Sequence, residues 1–261
     1  MSLRGQTAVV TGAVMGIGRA MVEILLQNDA KVALLDVNKS GGESLTEALG
    51  KQYGSQNVLF LDCDVESEEQ FKAAFKRAVD AFGQIDIVFN NAGILNEATW
   101  EKTVSINLLG VIRGTYLALE HMNKTHGGRG GVIINTGSMA GLGPFSCCPV
   151  YTATKHGVVS FTRAMASAST VSGYGVRFNA VCPGFVQTDL FSNIPIRLGQ
   201  YSHMADATAQ LVKKMGVITP SQVAEAVLEM VTDETKNGEA LMVMPKGKEY
   251  ITFPNLISPN K

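Results

Sequence analysis

Short apolar runs alternate with segments of helical length along this chain, and the alternation is the strongest constraint on its fold. Seven runs have the length and composition of strands, at 6–11, 31–35, 58–61, 85–90, 132–136, 176–181 and 240–243. Runs such as VALL and VIIN are apolar at consecutive positions, which is typical of strands covered on both faces. The pattern predicts a doubly wound α/β fold with a seven-stranded parallel sheet and helices on both faces.

Length and composition favour one domain. A chain of 261 residues with 46% hydrophobic residues can bury one large core, so we expect residues 1–261 to form a single domain. Segment 188–220 is the long stretch whose structure the pattern leaves uncertain. We predict that it forms a lid over a functional site.

The charge balance argues against an electrostatic partner. Lys and Arg total 22 against 23 Asp and Glu, a net charge of −1, so no broad field attracts nucleic acid or an anionic membrane. We find neither a bilayer-spanning apolar run of about 18 residues nor a charged-then-apolar leader at the N-terminus. Cys63, Cys147, Cys148 and Cys182 lack metal-ligand spacing, and a disulfide between the adjacent pair would be strained. We therefore expect a cytoplasmic protein without a metal.

A glycine-rich turn follows the first predicted strand. TGAVMGIG at 11–18 places Gly12, Gly16 and Gly18 before a helix, where the backbone can approach a pyrophosphate. Such a turn also needs glycine for purely conformational reasons. Its place after the first strand, and Asp36 at the end of the second, favour a Rossmann-type dinucleotide site.

Asp36 also predicts the choice of dinucleotide. A carboxylate there would accept a hydrogen bond from the adenosine ribose and repel a 2′-phosphate. Met15 and Val37 occupy positions where a neutralising cation could stand, and Lys39 is the nearby cation that argues otherwise. We therefore expect NAD rather than NADP, the alternative for Asp36 being a capping role.

Further motifs resemble those of the short-chain dehydrogenase/reductase family across almost the whole chain. They are TGAVMGIG at 11–18, DV at 64–65, NNAG at 90–93, Asn107, Ser138, YTATK at 151–155, and PG at 183–184 followed by Thr188. Each match is modest, but their order and spacing together are specific. The resemblance implies an NAD-binding catalytic domain in which Ser138, Tyr151 and Lys155 form the catalytic set and Asn107 is a fourth member.

The spacing of the catalytic set has its own chemical logic. Tyr151 and Lys155 lie four residues apart, which on a helix places their Cβ atoms about 5–6 Å apart on one face. A nearby lysine cation favours the phenolate, so we predict that Lys155 lowers the pKa of Tyr151, which acts as general base toward a secondary alcohol. Ser138 would hold the substrate oxygen. The resemblance implies that Lys155 also binds the nicotinamide ribose and that Asn107 supports the proton relay.

Taken singly, these residues also fit ordinary structural roles. Tyr151 could be a core tyrosine with a satisfied hydroxyl, and Asn107 a common polar residue of a helix. A non-catalytic NAD-binding sensor would show a broken catalytic set. Because all four residues are present, we favour the enzyme.

The remaining site residues are expected to divide between two ligands. The predicted cofactor-binding residues are Gly12, Met15, Gly16, Ile17, Gly18, Asp36, Val37, Cys63, Asp64, Val65, Asn91, Tyr151, Lys155, Pro183, Val186 and Thr188. The predicted substrate-binding residues are Ser138, Phe145, Cys148, Tyr151 and Phe185. No Lys or Arg belongs to the apolar set near the reacting end in sequence, which is Leu142, Phe145, Phe185, Leu190 and Phe191. This favours a small apolar alcohol or ketone over a phosphorylated substrate.

The resemblance also bears on substrate and assembly. The segments EATWEKTVSINLLGVIRGTYLALEHMNK, GGRGGVIINTGSMAGLGP, YTATKHGVVSFTRA and PGFVQT are similar to those of family members that oxidise a hydroxyl of prostaglandins. A hydroxysteroid or another apolar secondary alcohol is the alternative substrate, because the resemblance fades after Thr188. Helices predicted over 100–124 and 151–169 are apolar on more than one face, and the family commonly pairs them across a two-fold axis, so we expect a homodimer.

Overall fold

The computed structural model describes residues 2–254, so residues 1 and 255–261 of the expected domain lie outside the described part. The strands are β1 (Thr7–Thr11), β2 (Lys31–Asp36), β3 (Val58–Asp62), β4 (Ile87–Asn90), β5 (Gly131–Thr136), β6 (Val176–Pro183), β7 (Phe185–Val186), β8 (Val217–Ile218), β9 (Ala240–Met244) and β10 (Gly247–Tyr250). The α-helices are α1 (Gly16–Gln27), α2 (Lys39–Tyr53), α3 (Glu68–Phe82), α4 (Trp100–Val104), α5 (Gly110–Met122), α6 (Pro149–Ser172), α7 (Asp189–Ser192), α8 (Ala205–Met215) and α9 (Pro220–Thr232).

The main sheet contains the seven predicted strands and one more. Its order is β10-β9-β6-β5-β4-β1-β2-β3, and all neighbours are parallel except β10, which pairs antiparallel with β9. The doubly wound α/β fold is confirmed, but the sheet has eight strands rather than seven. The pattern missed β10 because its sequence, GKEY, is polar and largely exposed, and an edge strand needs no buried face.

The core forms two layers, one on each face of the sheet. On β1, Ala8 and Val10 pack in one layer with residues of α1 and α9. Val9, between them, packs in the other layer with residues of α3, α5 and α6. This alternation buries β1 on both sides and explains its continuous apolar run. Within residues 2–254, no helix is long and apolar enough to cross a membrane.

The chain changes direction in the sheet between β1 and β4, which are adjacent and parallel. From β1 the sheet continues through β2 and β3 on one side, and from β4 through β5 and β6 on the other. Ligands of doubly wound folds bind outside the carboxyl ends of the strands at such a switch point. The topology therefore assigns the site to the loops that follow β1, β4, β5 and β6.

The predicted lid segment, 188–220, is mostly helical, and its helices lie between two short paired strands. It contains α7, α8 and two 3₁₀ turns. β7 precedes the segment and β8 lies near its end, so the two strands enclose a helical insertion, residues 189–216. They pair in parallel through Phe185 with Val217 and Val186 with Ile218. Both ends of the insertion are thus held together at the carboxyl edge of the main sheet.

Candidate active site

A cavity of about 710 Å³ runs along the carboxyl edge of the main sheet. Asp36 and the glycine-rich turn line one end, Ser138 and Tyr151 line the middle, and Phe191 of the lid segment lines the other end. Most of the predicted site residues therefore share one cavity. Those lining it are Gly12, Met15, Gly16, Ile17, Asp36, Val37, Cys63, Asp64, Val65, Asn91, Ser138, Phe145, Tyr151, Lys155, Pro183, Phe185, Val186 and Thr188.

The glycine-rich turn has the conformation that an approaching phosphate requires. Gly12 and Gly16 adopt positive φ angles of 61° and 55°, which residues with a Cβ rarely adopt. Gly18 does not line the cavity. A Cβ on Gly18 would lie 1.9 Å from the Gly12 carbonyl oxygen, so this glycine allows α1 to pack against the turn. Met15, the residue before α1, makes no side-chain hydrogen bond to the helix amides, which leaves them available to an anion.

Asp36 ends β2 with its carboxylate at the cavity. The carboxylate accepts hydrogen bonds from the backbone N–H of Val14 at 3.0 Å and of Asn38 at 2.9 Å, so its capping role and its predicted ligand role coexist. Val37 and Met15 beside it are exposed. Arg19, which sequence reasoning did not consider, also lines this end, but its guanidinium is paired with Glu23 at 2.9 Å.

The residues along this part of the cavity suit a dinucleotide. The turn carries glycine where a Cβ would obstruct it, the amides of α1 are uncapped, and the carboxylate lies beyond them. Lys155 is buried and forms a hydrogen bond, 2.7 Å long, with the carbonyl of Thr136, and an ammonium has three donors to satisfy. The residues fit NAD, with the remaining donors of Lys155 suited to ribose hydroxyls.

Tyr151 and Lys155 lie on the first two turns of α6, and burial dominates the acid–base behaviour of both. Burial raises the pKa of Tyr151 to about 12, and the hydrogen bond with Ser138 partly opposes this shift. Burial lowers the pKa of Lys155 to about 8, an effect that the nearby Cys182 partly opposes. The Lys155 Nζ atom lies 5.6 Å from the centre of the Tyr151 ring.

The expectation that Lys155 lowers the pKa of Tyr151 stays a prediction, because the raised pKa of the cofactor-free protein reflects burial. Removing both side chains from water disfavours the phenolate and the ammonium alike. Lys155 packs over the face of the Tyr151 ring and donates to the Thr136 carbonyl. At neutral pH the phenol holds its proton in this geometry.

Asn107 is fully buried and lies behind the cavity wall rather than in it. It sits in a π-helical turn, Ser105–Leu109, that joins α4 to α5. Its side chain accepts from the Ile94 N–H and donates to the Ile94 carbonyl, both at 2.8 Å. Since Ile94 lines the cavity, Asn107 holds the loop after β4 against the helix. The sequence predicted a regular helix here, and π turns often mark functional sites.

Aromatic rings line the end of the cavity nearest the lid segment. The ring of Phe185 lies 5.9 Å from those of Phe145 and Phe191, measured between centroids. Cys148 does not join them. It is fully buried just before α6 with its Sγ 3.6 Å from that of Cys147, and it does not line the cavity.

Sequence reasoning missed one buried carboxylate beside the site. Glu97 accepts hydrogen bonds from the backbone N–H groups of Val150 and Tyr151 at the start of α6. No motif marks this glutamate. The available signal was indirect, because α6 begins Cys148-Pro149, without the Ser, Thr, Asp or Asn that usually caps a helix.

The chain matches a known protein family over most of its length. Residues 6–198 match the family model described as short chain dehydrogenase. The chain therefore belongs to the short-chain dehydrogenase family, which confirms the family prediction and makes it an oxidoreductase.

Individual relatives resemble it over almost their whole length. The chain is 45% identical over 260 residues to 15-hydroxyprostaglandin dehydrogenase (NAD(+)) of Homo sapiens, covering 97% of this chain and 98% of that protein. It is 34% identical to 3beta-hydroxysteroid dehydrogenase 2 of Eggerthella lenta, covering 92% and 94%. A solved short chain dehydrogenase/reductase from Burkholderia phymatum in complex with NAD has a TM-score of 0.80 and 25% identity, covering 93% and 90%.

The lowered pKa of Lys155 predicts a pH-dependent cost in stability. The pKa is about 8 in the folded chain and about 10.4 in an unfolded one. Between these values the unfolded chain binds more protons, so stability rises with pH. Lys155→Met removes this cost. The Tm of the cofactor-free parent minus that of the variant should therefore increase between pH 7 and pH 10. Thermal unfolding measures both; the control, Lys72→Met at an exposed position, should show a constant difference. A constant difference for Lys155→Met would contradict the prediction.

Proposed function

We propose that this protein is an NAD-dependent dehydrogenase that oxidises a secondary alcohol of an apolar lipid, such as a 15-hydroxyprostaglandin, to a ketone. One observation carries the proposal. A single cavity brings Ser138, Tyr151 and Lys155 between a dinucleotide-suited end at Asp36 and an aromatic end at Phe185. The names of the human prostaglandin enzyme and the bacterial steroid enzyme support a lipid alcohol and an NAD cofactor. A hydroxysteroid is the second candidate substrate.

The residues divide the chemistry between them. Tyr151 takes the proton of the alcohol. Ser138, which lines the same cavity, holds the alcohol oxygen and then the carbonyl that forms. Bound NAD supplies the hydride acceptor. Lys155 orients the ribose through the donors that Thr136 leaves open, and Asn107 supports the path by which the proton leaves.

Loss of the Tyr151 hydroxyl tests the general base. Tyr151→Phe should lower kcat by about 10²-fold or more, the scale of general-base catalysis, while NAD binding stays nearly intact. Since the phenol is protonated at neutral pH, alcohol oxidation by the parent should also become faster as pH rises. Steady-state kinetics and NAD titration check both results, with Tyr174→Phe as the control. Near-normal turnover of Tyr151→Phe would end the assignment.

Asp36 tests the cofactor preference. Asp36→Asn keeps an oxygen for the Val14 or Asn38 amide but removes the charge that repels a 2′-phosphate. The ratio of kcat/KM with NAD to that with NADP should fall about tenfold, the scale of one hydrogen bond to a charged group. Asp62→Asn, at the exposed end of β3, should leave the ratio unchanged. A parent that already prefers NADP would refute the proposal.

We assign substrate choice to the aromatic end of the cavity and to the lid segment 188–220, since Leu190, Phe191 and Ile194 line that end. The parent should show a higher kcat/KM for prostaglandin E2 than for a 3β-hydroxysteroid or a simple aliphatic secondary alcohol. Phe185→Ala should raise KM for the prostaglandin more than for the short alcohol, because only the lipid spans the rings. If the hydroxysteroid is the preferred substrate in the parent, the prostaglandin assignment is wrong and the second candidate holds.

We also propose a cytoplasmic homodimer formed through the continuous helix 100–122 and α6. These helices expose the large apolar side chains of Trp100, Leu109, Tyr116 and Val171, which a two-fold interface would bury. The free, buried cysteines of the described chain suit a reducing compartment. Light scattering should give about twice the chain mass of 27.8 kDa, and Tyr116→Glu should shift it toward the monomer. A monomeric parent at micromolar concentration would exclude the dimer.

A further inference from the structure

The first turn of α6 has an unusual source for its capping interactions. Pro149, the first helical residue, has no N–H to satisfy. The N–H groups of Val150 and Tyr151 donate to the Glu97 carboxylate at 3.2 and 2.9 Å, and the next N–H, of Thr152, donates to the Cys148 carbonyl. Glu97, from the loop after β4, therefore satisfies every N–H in this turn that lacks a partner within the helix.

The buried Glu97 carboxylate serves this capping role. The side chain is only 8% exposed, and within residues 2–254 no lysine or arginine forms a salt bridge with it. A buried carboxylate is costly unless hydrogen bonds satisfy it, and a negative charge is favourable at a helix N-terminus. One of its two oxygens is thus fixed on the backbone of Tyr151, the proposed general base.

The backbone of Glu97 is bound to the lid segment. Its N–H donates to the Arg197 carbonyl at 2.9 Å. Leu198, the next residue of the segment, is fully buried in one apolar cluster with Leu95 and Tyr151. Two hydrogen bonds in series therefore connect the lid segment to the catalytic helix, with Glu97 as the shared residue.

We propose that Glu97 is a positioning residue that couples the docking of the lid segment to the placement of Tyr151. The inference rests on the proposed function, because it assigns Tyr151 the proton transfer. With the segment docked on Glu97, the carboxylate holds the first turn of α6, and with it the Tyr151 phenol beside Ser138. Glu97 itself does not line the cavity, so it acts through the helix and not on the substrate.

Two variants and two measurements test this coupling. Glu97→Gln keeps one acceptor oxygen but turns an NH₂ group toward the second N–H, while Glu97→Asp keeps the charge on a shorter side chain. In Glu97→Gln, kcat should fall about 10- to 100-fold, the effect of a small misplacement of a catalytic group, with the Kd for NAD changed less than twofold. Glu97→Asp should recover part of kcat. Deuterium uptake by mass spectrometry should rise at both 146–156 and 194–204. Glu101→Gln, an exposed position on α4, is the control and should change neither.

The outcomes separate positioning from simple stabilisation. A residue that only stabilises the fold would lower Tm and leave kcat per folded molecule unchanged, and that result would overturn the proposal. Faster exchange at 146–156 without a change at 194–204 would overturn the coupling to the lid segment. If the parent oxidised no secondary alcohol, the proposed function would fail, whereas faster exchange at both segments in Glu97→Gln would still support the mechanical link.

Discussion

The site depends on the lateral contact between β1 and β4, where the order of the sheet reverses. Backbone pairing sets Val9 beside Val88, and beyond the strands the Thr11 hydroxyl accepts from the N–H groups of Asn91 and Ala92. The Asn91 amide in turn donates to the Thr11 and Gly12 carbonyls. These bonds fix the glycine-rich turn against the loop after β4. The β1–β4 contact therefore gives the cofactor end of the cavity a fixed floor, which the positioning of a bound dinucleotide requires.

Burial favours protonation states of Tyr151 and Lys155 that are opposite to those that catalysis needs. Desolvation raises the pKa of Tyr151 and lowers that of Lys155, so both are driven toward their neutral forms. Such a site is less stable than an apolar one of the same shape, a common cost of activity.

The sequence predicted what depends on pattern and local chemistry, and missed what depends on packing. Continuous apolar runs identified the seven parallel strands, and the glycine and Tyr-Lys spacings located the cavity. The polar strand β10, the helices of 188–220 and the π turn at Asn107 have no comparable signature. The net direction of the Tyr151 pKa shift depends on how completely the side chain is buried, which the Tyr-Lys spacing does not show. Cys148 illustrates the limit of the resemblance, since Phe145 and Tyr151 line the cavity while Cys148, between them in sequence, is buried outside it.

The helical insertion between β7 and β8, residues 189–216, has a consequence for divergence within the family. Because these strands pair directly, the two ends of the insertion meet in space whatever lies between them. The entropy of closing a loop grows only with the logarithm of its length, so lengthening or replacing this segment costs the scaffold little. Substrate specificity can therefore change when this one insertion is replaced, while the strand ends that hold the dinucleotide remain the same.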